Sequence, residues 1–166
     1  MAFPVIDCTG VEVRGEHVVA LRSLLKGEPG SWEPFQVAES PEEAIAYTAM
    51  LYGAFKVAVW RKFSPTYSTP DVIRFVADMR IAYGRDVSPI HPHVAEQLIL
   101  EALGNPAAES YVPPDAESVI GVEAAVLDTL LHEENLDEAG LEEFIEDSAD
   151  FVREWIAARQ GEPCNM

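Results

Sequence analysis

The run AIAYTAMLYGAFKVAVW, residues 44 to 60, is apolar almost all the way round a helix, and only Thr48, Gly53 and Lys56 interrupt it. A helix without a wet face has to be surrounded by other elements. The run is too short, and too rich in Tyr, Gly and Lys, for a membrane span, which needs about 20 predominantly apolar residues. The pattern therefore predicts a helix over 41–63 at the centre of a bundle, with the rest of the chain supplying its walls. SPEEA marks its start: Ser40 is a natural N-cap, Pro41 suits the first helical position, and Glu43 stands three residues after the cap. Gly53 costs about 1 kcal/mol of helix propensity relative to Ala. What it offers in return is close approach by a neighbouring helix.

The walls show the same periodicity. From Glu16, Val18, Leu21, Leu24 and Leu25 share one side of a helix, which KGEPGSWEPF breaks with two glycines and two prolines. Trp32 and Phe35 in that loop either fold back onto the core or form a contact face. KFSPTYSTPD ends the central helix and starts another, with Thr69, Pro70 and Asp71 repeating the order of cap, proline and acid. Val72, Phe75, Val76, Met79 and Tyr83 make its stripe. SPIHPH opens a fourth helix that turns Val94, Leu98, Ala102 and Leu103 inward. A fifth, about residues 115 to 132, is rich in Val, Ile, Ala and Leu, and a sixth occupies 134–160. FPVIDCTGVEVRG, within residues 1–14, is expected to be a short, extended arm. No repeat of fixed period occurs, and the whole chain, 1–166, is expected to be one all-α domain, a bundle of five or six helices.

Charge separates the faces of this bundle and narrows its partners. The net charge is −18, and residues 105–166 hold sixteen acids against Arg153 and Arg159, whereas residues 52–104 hold six bases against five acids. Nucleic acid and anionic membrane both demand a basic footprint, so both are disfavoured and a basic protein partner is compatible. The plainer alternative is that acidic helix faces serve solubility. MAFPVIDCTG has no basic start followed by an apolar run, so no secretion signal is expected. Cys8 and Cys164 lack metal-type spacing and suggest two thiols in a reducing compartment, the cytoplasm, with one terminal disulfide as the alternative.

ENLDEAGLEEFIED, residues 134 to 147, invites a calcium-loop reading that its spacing refuses. With Gly140 at the sixth position, Asp137 and Glu146 fall on the third and twelfth, but Asn135 stands first, Ala139 fifth, and Glu142 where an apolar residue packs. The helical reading fits better. Leu141, Phe144, Ile145, Ala149, Val152, Trp155 and Ile156 form one apolar stripe, Asp137 is a natural N-cap, and the acids take the other side.

His91 and His93 bracket Pro92 and, with His132, are weak metal candidates, since ligands on a helix stand three or four residues apart. HEENL at 132–136 lacks the second histidine of the HExxH zinc motif. There is no GxSxG elbow, neither cysteine has a context that would activate it, and KGEPGS lacks the order of a phosphate-binding loop. No cofactor is therefore expected. A helix-turn-helix is disfavoured because residues 89–104 contain no Lys or Arg. Arg61, Lys62, Arg74, Arg80 and Arg85 are the main basic residues of the middle region and candidates to pair with the acidic sixth helix, inside the molecule or between subunits, each exposed pair contributing about 0–1 kcal/mol.

With no catalytic motif, the expected function is that of a non-enzymatic interaction or regulatory protein. Glu142, Glu143, Glu146, Asp147 and Asp150 would form the docking surface for a basic partner, or mimic nucleic-acid charge. Trp32 and Phe35 would form the interface of a homodimer. The alternative is a helical enzyme or small-ligand-binding protein whose inter-helix site uses histidine and carboxylate groups.

Overall fold

The computed structural model describes residues 6–87, 90–160 and 163–164. Among them are α1 Gly15–Leu25, α2 Glu33–Gln36, α3 Pro41–Phe63, α4 Thr69–Tyr83, α5 Pro92–Ala102, α6 Ala116–Glu134 and α7 Glu138–Ala157. The fold is all-α. The helix beyond the expected five or six is α2, a single turn inside the segment read as a loop; its proline sits in the first turn, where a missing N–H costs nothing. Packing divides the chain into two compact units, one spanning Phe55–Asn135 and the other joining the segments on either side of it.

The outer segments meet at a strand pair, β1 Ile6–Asp7 against β2 Pro163–Cys164, antiparallel with Ile6 opposite Cys164. Residues 1–5 of the expected arm lie outside the described residues. Cys8, immediately after β1, is 0% exposed and disulfide-bonded. Two free thiols, the ground for expecting a reducing compartment, are therefore not what the chain has. In the same unit α1 packs on α7. Asp137 caps α7 by accepting the Gly140 N–H at 2.7 Å, and the apolar stripe from Phe144 to Ile156 is buried as its spacing requires. Gly53 fulfils its expected role against this helix, for a β-carbon there would overlap the side chain of Val152.

Along α3 no residue from Ile45 to Val59 is exposed, but Ala44, Thr48, Tyr52, Lys56 and Trp60, spaced four apart, share one face that is half-buried in the middle and exposed at its ends, so the helix is covered on most sides and not all round as expected. Ser40 caps it, its hydroxyl oxygen accepting the Glu43 N–H at 3.2 Å.

In the 55–135 unit the cap of α4 is Ser68, one residue before the expected Thr69. Ser68 Oγ accepts the Asp71 N–H at 3.3 Å, and Asp71 Oδ2 accepts the Ser68 N–H at 3.0 Å. Counting from Ser68 places Asp71 at the third helical position, where the reciprocal bond closes, and counting from Thr69 does not. The start signal expected at residues 88 and 89 lies outside the described residues; α5 begins with Pro92 in its first turn. Asn135 ends α6 in the left-handed conformation, φ 49°. Helices α4, α5 and α6 bury Val72, Val76, Val94, Ile99, Val126 and Leu130 against one another. Trp60 Nε1 donates to the Ala102 carbonyl at 2.6 Å, tying the end of α3 to α5. Among the described residues no helix is long and apolar enough to cross a membrane.

Candidate functional site

Burying one stripe of α7 leaves its acids on the opposite face. Glu143, Glu146, Asp147, Asp150 and Glu154 are exposed there. Glu142 is different: Arg22 of α1 grips both its carboxylate oxygens, Nε to Oε1 at 2.6 Å and Nη2 to Oε2 at 2.7 Å. This paired geometry holds the Glu142 carboxyl below its ordinary range. Lys26 reaches Glu138 at 3.7 Å. Arg22 and Lys26 thus set positive charge along one edge of α7, and Asp150 has Arg153 at 3.2 Å on its own helix. Of the five acids expected to form a docking face, Glu143, Glu146 and Asp147 stand together within one turn.

The expected interface pair is part of an aromatic chain. Trp32, 37% exposed, meets Phe35 edge-on with ring centroids 5.8 Å apart. Phe35 in turn meets Tyr47 at 5.4 Å, so it folds back onto α3 rather than facing outward alone. The three histidines proposed for metal are exposed. His93 packs its ring at 90° to Tyr111, and among the described residues no group of three or more His, Cys, Asp or Glu side chains is placed to hold a metal ion.

Two buried titratable groups escaped the sequence reading. His17 of α1 is 2% exposed. Its Nδ1 accepts the Arg14 backbone N–H at 2.9 Å, so the neutral ring carries its proton on Nε2, and that buried atom has no hydrogen-bond partner among the described residues. Burial lowers the pKa of the imidazole, against the opposing influence of Glu16 and Glu43. The signal was present in the spacing: His17 precedes the buried Ala20 and Leu21 by three and four residues. Glu123 of α6, 4% exposed, lies between Val122 and Ala124 in the apolar run. Burial, and secondarily the charge of Glu101 on α5, pushes its carboxyl up to about 8.

A cleft of about 550 Å³ opens in the 55–135 unit, over α4. Phe63, Phe75 and Met79 supply its apolar surface, and Tyr67 and Thr66 reach it from the α3–α4 connection. Lys62, Asp71, Arg74, Asp78 and Glu133 bring charge to it. Lys62 and Arg61 pair with Glu133 and Glu134 at the end of α6, at 2.8 and 3.4 Å. Comparison with protein families, curated proteins and solved structures finds no match to this chain.

Proposed function

We propose that the protein is a non-enzymatic interaction or regulatory protein whose α7 surface docks a basic protein partner. The observation that carries this reading is the exposed face of α7, where Glu143, Glu146, Asp147, Asp150 and Glu154 stand opposite a fully buried stripe. The buried stripe anchors the helix, so the acids are presented on a fixed scaffold, and the Arg22 grip on Glu142 holds the near edge in place. Complementary charge of this kind mainly speeds encounter and sets register, and its effect falls with salt.

The test is retention of proteins from the native host at low salt by the whole chain and by a Glu143→Lys/Glu146→Lys/Asp150→Lys variant. All three positions are exposed, and helicity measured by circular dichroism should be unchanged. A basic protein held by the original chain, released by salt and lost with the variant supports the reading. Equal retention by both, or none by the original chain, overturns it in favour of acids that serve solubility alone.

A further inference from the structure

The cleft over α4 combines an apolar aromatic floor with an uneven distribution of charge. Phe63 and Phe75 meet edge to face with ring centroids 5.6 Å apart, and both, like Met79 beside them, are buried. Aromatic faces attract cations through their quadrupole, and Tyr67 adds a third ring to the lining. On the rim the two cations are already engaged. Lys62 is held by Glu133 at 2.8 Å, and Arg74 lies 3.7 Å from Asp71. Asp71 is kept ionised by the hydroxyl and backbone N–H of Ser68, both donating to Oδ2. Asp78, two turns further along α4, has no ion-pair partner among the described residues.

One rim carboxylate is thus left over. An anionic guest would compete with Glu133 for Lys62 and with Asp71 for Arg74, and would approach a chain of net charge −18. A cationic guest meets the Asp78 carboxylate, an aromatic lining and a favourable long-range field. The volume, about 550 Å³, is in the range of small-molecule sites. We propose that this cleft binds an organic cation, a primary amine or guanidine with an aromatic or alkyl body, its charge against Asp78 and its body against Tyr67 and the margins of Phe63 and Phe75 that line the cleft. The site shares no residue with the α7 face, and the proposal stands or falls independently of it.

The test is an NMR titration of the whole chain with phenethylammonium, beside 3-phenylpropionate, which has a similar body and the opposite charge. Saturable shifts centred on Tyr67, Phe75, Asp78 and Thr129 are expected with the amine and not with the carboxylate. Asp78→Asn, an exposed substitution whose spectrum reports directly on folding, should weaken the amine roughly five-fold, the equivalent of one exposed charge pair. No saturable response, equal binding of the carboxylate, or an affinity unchanged in Asp78→Asn would each overturn the proposal.

Discussion

Gly53 of α3 and Val152 of α7 touch backbone to side chain. A β-carbon at position 53 would overlap Val152 Cγ2 and stand 3.3 Å from both Phe151 Cδ1 and the Ser148 carbonyl oxygen. Gly53→Ala therefore sets two effects against each other: a gain of about 1 kcal/mol in helix propensity and an overpacking cost of about 1–3 kcal/mol. The overpacking should win, because the Ser148 carbonyl belongs to a buried helix backbone and has little room to retreat. Urea denaturation should show a less stable single variant, and adding Val152→Ala should make the alanine at 53 less costly than it is alone. A Gly53→Ala protein as stable as the original would mean that the two helices separate freely.

Glu123 should make stability depend on pH in an unusual sense for a carboxylate. Its folded pKa lies at about 8 against an ordinary 4.5, so the folded state holds a proton that the unfolded state releases. The stability linked to this proton is fully present below pH 4.5 and is lost as pH rises from there towards 8, at roughly 1 kcal/mol per pH unit. Glu123→Gln keeps the shape and removes the charge. Its urea midpoint should match the original at pH 5 and exceed it at pH 8; parallel curves at both values would show that the carboxyl is solvated in the folded state.

His17 should act in the opposite direction. Burial lowers its folded pKa below the ordinary 6.5, so the unfolded chain takes up the proton first. The stability linked to the neutral ring is complete above pH 6.5 and declines as pH falls through the lowered folded value. Protonation would also turn Nδ1 into a donor and break its bond with the Arg14 N–H. His17→Gln, whose side-chain oxygen accepts that N–H, should abolish the decline between pH 6.5 and 5.5 in the Glu123→Gln background, where the carboxyl no longer offsets it. An unchanged decline would place its origin in other groups.

The disulfide at Cys8 should contribute to stability through the unfolded state, because linking residues far apart in sequence restricts the open chain. Cys8→Ser should lower the free energy of unfolding by about 2–4 kcal/mol, and dithiothreitol should do the same to the original chain without further effect on the variant. Equal midpoints with and without reductant in the original chain would show that the bond adds nothing.

Much of the architecture was legible from local pattern. The boundaries of α3 were marked by Ser40 and Pro41 at one end and by the turn residues after Phe63 at the other, and the α7 stripe was read correctly except at Leu141, which is only half-buried, and Ser148, which is buried with it. The shift of the α4 cap from Thr69 to Ser68 and the turn at α2 are errors of a residue or a turn, the scale at which competing caps and short proline-containing helices differ little in energy. The candidate sites were less legible. Glu142 looked like its acidic neighbours until Arg22, 120 residues away, was found on it. The cleft joins α3, α4 and α6 and has no signature in any one segment.

The sequence by itself determined helix content, the polarity of α7 and the need to cover α3, because these follow from spacing within a few turns of one chain segment. Only the tertiary structure decided that His17 and Glu123 are buried, that Gly53 receives Val152, and that Asp78, without an ion-pair partner among the described residues, stands at the rim of a cleft lined by aromatic rings. Burial and pairing depend on which distant surfaces meet. A charged residue inside an apolar run looks much the same in sequence whether its side chain reaches water or is covered by a helix that arrives later in the chain.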